Sequence, residues 1–511
     1  MYSRADLSVA IPTLGRDLAL LVQILTRLQA EQLVTIVVWD GHCPPAPEQE
    51  ALIRQLGATL LVHERNRGLS AGRNTGAHAM TTALGMYIDD DIVPAPGFAQ
   101  AVIDFHNQHP DLLTMMMGCV TWRGGPHQTA LTEWFETRGN WNVFHTVPEG
   151  RPHANFMGGF TSFKTAVLDD LQFDERFLRY GCEDVEFGYR FFARGGQLLS
   201  WPRVLGVHVK QLSPGDYLRD HLGAGYSRGV LVQRQPDAAF SLAWTCKALN
   251  TTLPRDALDQ IAGIAANLIH IGAGLATQEL DLVMRLLTEQ AIQTGFVEFL
   301  TENFPSARAL RERALAGEPL DEQTVIDGIE DFAPLLVERA RRCGDPQTRT
   351  ALRARSQMLI PHYAAPLLDA CAAGDDERAR IALREHLASY GKDLDLRTIQ
   401  MIRSRLGEED DTLATGGTRA LYVSLRSAEA TQDTARVVTL AQSILELDPG
   451  HAGACIAWAR AILKTDAKLA RVLLGQARHH VGFRPLHEQE TRLPEIAALL
   501  HQANQTHAHE A

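Results

Sequence analysis

The sequence predicts an α/β domain over about its first 240 residues, followed by an all-α region of helical hairpins. Two observations predict this division. Up to about residue 240, short runs of apolar and β-branched residues alternate with segments of helical spacing, as in a parallel sheet covered by helices on both faces. Beyond that point the strand-like runs stop, and Ala, Leu, Arg and Glu recur at helical intervals. We expect domains at residues 1–240, 241–345 and 346–511.

Four short strands are predicted in the N-terminal domain, at residues 7–12, 35–41, 58–64 and 85–91. Helical spacing separates the first two, in "LALLVQILTRL". In open α/β sheets, ligands bind beyond the carboxyl ends of the strands. Asp40 and the aspartates at 89–91 both follow predicted strands, so both are expected to face one crevice.

The bulk composition excludes several classes of protein. The chain has 511 residues, of which 45% are hydrophobic, and a formal net charge of -12. Because binding to nucleic acid needs a basic face, we expect no nucleic-acid partner. The seven cysteines are scattered singly with no CxxC, which suits a reducing compartment, so a cytoplasmic location is expected.

No targeting or membrane segment is predicted. The N-terminus resembles the start of a strand and not a signal peptide. The most apolar segment, residues 261–276, is too short to span a bilayer comfortably and carries Asn267 and His270. We expect a buried helix there and no transmembrane segment.

The helical region contains a weak internal repeat. Small and apolar residues lie at Val437, Ala441 and Ile444 before Pro449, and the spacing resembles the second helix of a tetratricopeptide unit. Generic helical hairpins give similar patterns. Dimerisation, acceptor binding and docking to an assembly are the hypotheses for this region, and a homodimer through it is one of them.

An acidic triplet is the first candidate site. Asp89, Asp90 and Asp91 follow a short apolar run in "GMYIDDDIVPAPGF". Three adjacent carboxylates repel one another unless a cation neutralises them, and Mg²⁺ and Mn²⁺ prefer carboxylate oxygens. A solvated acidic turn is the alternative. The position directly after a buried strand favours the metal.

A second pair of carboxylates lies in "YGCEDVEFGYRFFARGG". A helix is predicted there because four residues share one face, namely Val185, Gly188, Tyr189 and Phe192. Glu183 and Asp184 then lie at the helix N-terminus. They either complement the helix dipole, at about 0.3–1 kcal/mol, or supply a general base in a cleft.

His208 is the third candidate, in "PRVLGVHVK". A single histidine on an apolar strand is usually a core residue. It becomes a candidate ligand only if the fold brings it to the acidic triplet.

These motifs in order resemble family 2 glycosyltransferases of the GT-A fold. The succession runs "VAIPTLGR", "VVWDG", "ERNRGLSAGRNTGAHA", "YIDDDIVPAPGF", "FDERFLRYGCEDVEFGYR" and "GVHVK", and covers roughly residues 5–235. The resemblance implies a Rossmann-like mixed sheet. It does not extend into the helical half.

The resemblance implies how a nucleotide-sugar donor binds. Asp40 matches the acidic residue that accepts hydrogen bonds from the uracil of a UDP-sugar, although a simple Asp-Gly turn is the alternative. A further segment matches the lining of the nucleotide pocket through Asn66, Gly68, Arg73 and Asn74. Ser70 is expected to cap a helix that begins near Ala71. Arg73 is alternatively an ion-pair partner of the acidic triplet.

The resemblance also implies a metal site. Asp89 and Asp91 match the outer carboxylates of the family's D-x-D motif, which hold the ribose and the metal ion. Asp90 occupies the middle position and is grouped with the donor-binding residues. His208 matches the histidine that completes the metal shell. The implied cofactor is Mn²⁺ or Mg²⁺.

Finally, the resemblance implies the reaction. Asp184 matches the base that deprotonates the acceptor in a single inverting displacement, and Glu183 is a second carboxylate beside it. The expected acceptor is a saccharide or lipid-linked glycan. The alternatives are a peptide or protein acceptor held by the helical region, and a scaffold that binds nucleotide sugar without turnover. Three tryptophans either stack on an acceptor or pack in the core: Trp122, Trp134 and Trp141.

Overall fold

The computed structural model describes residues 1–139, 141, 143–151, 156–169, 171–193, 196–234, 241–272, 277–330, 332–359, 425, 428–429, 433–447, 452–481 and 494–503. The chain forms two compact units. The first comprises residues 1–191, 196–231 and 251–303, and the second comprises 192–195, 232–250 and 304–511.

The first unit is built on one eight-stranded mixed sheet. Its strands are β1 (Leu7–Thr13), β2 (Val34–Trp39), β3 (Ala58–Val62), β4 (Leu84–Ile88), β5 (Ile92–Pro94), β6 (Thr114–Thr121), β7 (Phe160–Lys164) and β8 (Gln197–His208). Their order is β3-β2-β1-β4-β7-β6-β8-β5. Strands β1 to β4 pair in parallel, whereas β7 runs antiparallel to both β4 and β6. The four predicted strands are therefore confirmed, within an α/β domain that has a mixed sheet.

Eight helices of this part of the chain are α1 (Leu18–Ala30), α2 (Pro47–Gln55), α3 (Leu69–His78), α4 (Phe98–Gln108), α5 (Ala130–Thr137), α6 (Val143–Thr146), α7 (Glu183–Ala193) and α8 (Pro214–Arg234). Helix α1 shows why they form. Its buried side chains are Leu21, Ile24, Leu25 and Leu28, which lie on one face at helical spacing. Asp17 caps the helix by accepting a hydrogen bond from the Leu20 N–H at 2.9 Å.

Two local expectations about helices are wrong. Helix α3 begins at Leu69, with Gly68 at its N-cap, so Ser70 is buried inside the helix and does not cap it. Helix α7 forms as predicted but buries a different face: Val185 is 42% exposed, whereas Phe187 and Phe191 are fully buried. The phenyl rings pack against Phe156. Burial of these two rings removes a large apolar area from water.

The remaining described helices are α9 (Leu242–Thr251), α10 (Arg255–Ile271), α11 (Gln278–Asn303), α12 (Pro305–Leu315), α13 (Glu322–Gly328), α14 (Ala333–Arg342), α15 (Pro346–Leu359), α16 (Thr434–Leu447), α17 (Ala452–Ile462) and α18 (Ala467–Val481). The predicted all-α region is confirmed over these residues. Val437, Ala441 and Ile444 are buried between α16 and its neighbours, as their spacing indicates. The boundary at residue 240, residues 360–424 and Pro449 lie outside the described residues, and the tetratricopeptide resemblance stays a prediction.

Helix α10 corresponds to the most apolar segment of the sequence, and the expectation that it is buried is only half right. Leu258, Ala262 and Ala265 are buried, but Ile264 is 51% exposed and Ile271 is 78% exposed. The helix therefore has one packed face and one face in solvent. Within the described part of the chain, no helix is both long enough and apolar enough to cross a membrane.

Candidate active site

The acidic triplet lies at the carboxyl edge of the sheet, as predicted from the strand ends. Strand β4 ends at Ile88, and the next three residues form the turn to β5. Strand β8 runs antiparallel to β5 and pairs His208 with Ile92. The end of β8 therefore returns to the triplet, which brings a histidine from 117 positions further along the chain beside Asp91.

Arg73 joins the triplet to the start of α7. Its guanidinium is 2% exposed and forms ion pairs with Asp89 at 3.1 Å and with Glu183 at 3.0 Å. The two neighbouring carboxylates raise the pKa of Arg73 and outweigh burial, which acts in the opposite direction. The observed contacts of Arg73 are therefore those of an ion-pair partner of the acidic triplet, as one of the two predictions for it stated. A direct contact of Arg73 with a nucleotide-sugar donor stays a prediction.

Two glycines let the chain approach this ion pair closely. A Cβ atom at Gly158 would lie 2.7 Å from the Arg73 guanidinium, and one at Gly159 would overlap the Asp89 carboxylate. The backbone N–H of Asp89 also donates to the Gly159 carbonyl at 2.9 Å. A side chain at either glycine of the "FMGGF" segment would therefore have to displace the Arg73 or the Asp89 side chain.

Asp90 and Asp91 have strongly perturbed carboxyl groups. Burial and the charge of Asp91 raise the pKa of Asp90 to about 7, while a hydrogen bond from the Thr13 hydroxyl at 2.5 Å opposes the shift. Burial and the charge of Asp89 raise the pKa of Asp91 to about 7. The protein itself therefore leaves these carboxylates without full neutralisation.

His208 lies beside Asp91, with 3.7 Å between its Nε2 and Asp91 Oδ1. Burial and the charge of Lys210 lower its pKa to about 3, so the imidazole is neutral. Its ring stacks on Trp122, with 4.2 Å between the ring centroids. The Lys210 N–H donates to Nδ1 at 3.3 Å, so in this arrangement the ring proton lies on Nε2. A cation on Nε2 would require the other tautomer, with the ring proton on Nδ1 and without the Lys210 contact.

The chemistry of these groups fits a hard divalent cation. A neutral imidazole and a carboxylate with a raised pKa are both available as ligands, and their 3.7 Å separation is too long for a hydrogen bond. Among the residues that the structure describes, no three acidic, histidine or cysteine side chains converge into a complete metal site. Mg²⁺ commonly binds through one or two carboxylates together with substrate phosphates, so an incomplete protein shell suits it. Asp89, the third predicted ligand, is held by Arg73.

The pair at the start of α7 has two different environments. Glu183 is buried and bound to Arg73, as described above. Burial and the charge of Glu183 raise the pKa of Asp184, although Arg73 and the Val185 N–H act in the opposite direction. The charge of Asp89 also acts on Asp184, so the two predicted halves of the site lie close together. A carboxyl with a raised pKa in such a position suits a general base.

Asp40 also lies at the sheet edge, 3% exposed, and it organises the turn that precedes α3. Its Oδ1 accepts hydrogen bonds from His63 Nδ1 at 2.6 Å and from the Arg67 N–H at 2.8 Å. Its Oδ2 accepts from the Gly68 N–H at 2.8 Å, and Asn66 donates to its carbonyl at 2.6 Å. Three of about four acceptor positions on the Asp40 carboxylate are filled, so one position is left for a hydrogen bond from the uracil of a donor.

Asn74 is fully engaged with the segment that leads to α7. Its amide donates to the Phe173 carbonyl at 2.9 Å, and its oxygen accepts from the Phe173 N–H at 2.8 Å. A second donor contact reaches Glu175 at 3.2 Å. The predicted contact of Asn74 with the donor stays a prediction, because the described contacts are all structural.

The tryptophans pack in the core. Trp122 and Trp134 are each 2% exposed, and Trp141 packs against the same cluster. Trp122 also donates from Nε1 to the Lys210 carbonyl at 3.1 Å, which fixes the strand end that carries His208.

Two contributors were not predicted from the sequence. His63 bridges Asp40 and the Thr75 hydroxyl, the latter at 2.9 Å. It follows β3, and a polar residue at that strand end is the signal that could have identified it. Thr13 follows the same rule at the end of β1.

Comparison with known proteins agrees with this geometry. Residues 8–171 match the sequence model of the family Glycosyl transferase family 2. Two curated relatives, each named pre-mycofactocin glycosyltransferase, come from Mycobacterium tuberculosis strains CDC 1551 / Oshkosh and ATCC 25618 / H37Rv. Each is 25% identical over 265 residues, or 50% of this chain and 55% of the relative. The chain thus spans about half the length of these relatives.

Among solved structures, Staphylococcus aureus TarS 1-349 is 14% identical, with a TM-score of 0.34, and the match covers 76% of this chain and 92% of the TarS chain. GalNAc-T7 with UDP, GalNAc and Mn²⁺ is 16% identical, with a TM-score of 0.33, and the match covers 40% of this chain and 43% of the GalNAc-T7 chain. These similarities are too weak to support an argument about mechanism. The family match and the mixed sheet lie in the same part of the chain: residues 8–171 are similar to Glycosyl transferase family 2.

Proposed function

We propose that this protein is a metal-dependent, inverting glycosyltransferase that transfers a sugar from a nucleotide-sugar donor, a UDP-sugar by the position of Asp40. The observation that carries the proposal is Arg73, which ties the acidic turn after β4 to the carboxylate pair at the start of α7. Two groups of acidic residues with perturbed pKa values thereby meet at the carboxyl edge of one sheet, where ligands of such sheets bind.

In this proposal the residues have separate tasks. Asp91 and His208 would hold a divalent cation, and that ion would supply Lewis acidity toward the leaving diphosphate. Asp184 accepts the proton of the acceptor hydroxyl as the oxygen of that hydroxyl attacks the anomeric carbon of the donor. Arg73 holds the Glu183 side chain in place beside that base. The bond from the sugar to the diphosphate breaks on the opposite face, which inverts the configuration.

The chemical class of the acceptor is also part of this proposal. The curated relatives are named for pre-mycofactocin, but at 25% identity over half their length they do not carry an acceptor to this chain. A saccharide or lipid-linked acceptor is our proposal. A peptide acceptor bound by the helical region is the alternative, and a homodimer through that region stays a prediction.

The test uses the full chain with UDP-, dTDP- and GDP-hexoses and with Mn²⁺, Mg²⁺ or EDTA. We expect one donor and metal together to raise the melting temperature and to release nucleoside diphosphate slowly. Asp91→Asn should lose the metal-dependent stabilisation. Asp184→Asn should keep it and lose turnover by about 10²–10⁴-fold. Asp104→Asn, at an exposed position on α4, is the matched control.

Two outcomes would contradict the proposal. Stabilisation by a donor without release of nucleotide, even after long incubation, would indicate the non-catalytic scaffold. Full turnover in Asp184→Asn would remove that residue from the mechanism.

A further inference from the structure

Two exposed apolar side chains lie directly before the proposed base. Leu178 is 72% exposed and Tyr180 is 54% exposed, whereas the preceding Phe177 is 2% exposed. Tyr180 precedes Asp184 by four residues. Leu178 and Tyr180 together give the segment before the proposed base an exposed apolar surface that a ligand could cover.

The segment that displays them is firmly held. Arg179, between the two, turns back to form ion pairs with Glu302 at 3.1 Å and Glu298 at 3.6 Å. Its guanidinium lies 3.5 Å from the centroid of the Tyr226 ring, and its carbonyl accepts from the Ser227 hydroxyl at 3.1 Å. Because Arg179 faces α8 and α11, its two neighbours are left in solvent. A rigid display of this kind suits binding.

The backbone after Tyr180 is also constrained. Gly181 has φ +88° and Cys182 has φ +68°, so two successive residues adopt the left-handed region. For a residue with a side chain this conformation is uncommon and persists where surrounding contacts impose it. A Cβ at Gly181 would lie 2.9 Å from Ala224 Cβ, and the Cys182 thiol contacts the Ala224 carbonyl at 3.6 Å. Helix α8 therefore sets Tyr180 relative to Asp184.

The phenol lies among negative charges. Enclosure by protein and nearby carboxylates raise the pKa of Tyr180, so its hydroxyl is a hydrogen-bond donor at neutral pH; the carboxylates are those of Asp220, Glu183, Asp184 and Asp91. Tyr180 is nevertheless 54% exposed, so its ring lies outside the core and is open to a ligand. An anionic acceptor would be repelled here.

Two of these carboxylates already have cationic partners. Glu183 pairs with Arg73 at 3.0 Å, and Asp220 pairs with Lys210 at 3.1 Å. Their oxygens can still accept hydrogen bonds, but they offer less attraction to a second cation. The surroundings of Tyr180 therefore suit a neutral, hydroxyl-bearing group better than a charged one.

We propose that Tyr180 forms the acceptor subsite and that the acceptor is a neutral saccharide, with the C–H face of its ring on the tyrosine. This inference rests on the proposed function. Stacking on Tyr180 would present one sugar hydroxyl to Asp184. That oxygen forms a bond to the anomeric carbon of the donor, its proton passes to Asp184, and the bond to the nucleoside diphosphate breaks with the electron pair on the leaving group.

The test measures release of nucleoside diphosphate from the donor found above, with and without added sugars. The probes are methyl β-D-glucopyranoside and methyl α-D-mannopyranoside as neutral acceptors, glucuronate as an anion and glucosamine as a cation. We expect the neutral glycosides to accelerate release above hydrolysis and the charged sugars to do so less. Tyr180→Ala should raise the KM for the glycoside about three- to tenfold, more than it changes the donor KM.

Tyr180→Phe keeps the ring and should lose less than Tyr180→Ala. Leu315→Ala, at a 68% exposed leucine of the second unit, is the matched control.

The remaining outcomes distinguish the two proposals. Donor hydrolysis that no neutral glycoside accelerates would overturn the saccharide subsite and leave the proposed function intact. Faster release with glucosamine or glucuronate than with neutral glycosides would overturn the charge argument. An equal fall of hydrolysis and transfer in Tyr180→Ala would show a structural role for the ring. Absence of any donor hydrolysis would overturn both proposals.

Discussion

Replacement of Arg73 by methionine should destabilise the first unit strongly. The guanidinium is 2% exposed and binds Asp89 at 3.1 Å and Glu183 at 3.0 Å. Methionine fills a similar volume but carries no charge, so the change leaves the Glu183 carboxylate, 8% exposed, buried without its cation. Contact of the guanidinium with the Phe173 ring, 5.1 Å from the ring centroid, is also lost.

The expected magnitude comes from burial. Removal of one partner from a buried ion pair costs about 3–5 kcal/mol, because the remaining charge lacks both water and a partner. The same chain offers a matched exposed pair: Arg54 and Glu50 lie 2.8 Å apart on α2 with side chains 53% and 43% exposed. Exposed pairs at i,i+4 contribute about 0.3–0.5 kcal/mol. Arg73→Met should therefore cost roughly tenfold more than Arg54→Met.

The assay is urea unfolding followed by tryptophan fluorescence, since Trp122 and Trp134 are buried in the first unit. A double variant separates the lost attraction from the charge that is left behind. Arg73→Met combined with Glu183→Gln should be more stable than Arg73→Met alone, because a neutral amide needs no cation. Equal losses for Arg73→Met and Arg54→Met, or no rescue by Glu183→Gln, would refute the reasoning.

Three further expectations concern pH and sterics. As pH falls, the proposed base Asp184 becomes protonated and kcat/KM falls; because the pKa of Asp184 is raised, this acid limb should lie at a higher pH than for an ordinary aspartate. Glu183→Gln removes the neighbouring charge and should move the acid limb to lower pH, and an unmoved limb would contradict this account. Burial and the charge of Lys164 lower the pKa of His106 to about 3, so stability should fall below the unfolded pKa of about 6.5 as the unfolded chain gains a proton, by up to about 3 kcal/mol at pH 4. His106→Asn should flatten that slope in acid unfolding, and an equally steep slope would exclude His106 as its cause. Gly159→Ala should disrupt donor-induced stabilisation because its Cβ would overlap Asp89, whereas Gly263→Ala on exposed α10 has open space and should stabilise by about 0.5–1 kcal/mol; equal effects in thermal shift would argue against the steric account.

The sequence specified the strands and the residues at their ends. Strands β1 to β4 are apolar runs bounded by polar residues, so a local pattern was enough to place them within a few residues. Asp40 and the acidic triplet then follow from the rule that ligands bind at the carboxyl ends of such strands. The start of α7 was likewise predictable, because helical spacing and an acidic first turn are both local features.

Which face of α7 is buried was decided only by the tertiary structure. Two candidate stripes run along this helix, one containing Val185 and one containing Phe187 and Phe191. Both have helical spacing, so periodicity could not choose between them. The phenyl rings are buried because Phe156, from the segment before β7, packs against them.

The assignment of partners within the site also required the folded chain. Arg73 meets Glu183 across 110 residues and Asp89 across 16, and no local pattern distinguishes that pairing from a contact with a donor phosphate. The same holds for Tyr180, whose exposure depends on Arg179 binding to α11. Sequence therefore determined which chemical groups stand at the edge of the sheet, because strand periodicity is local. Packing of distant segments decided which of those groups are already paired.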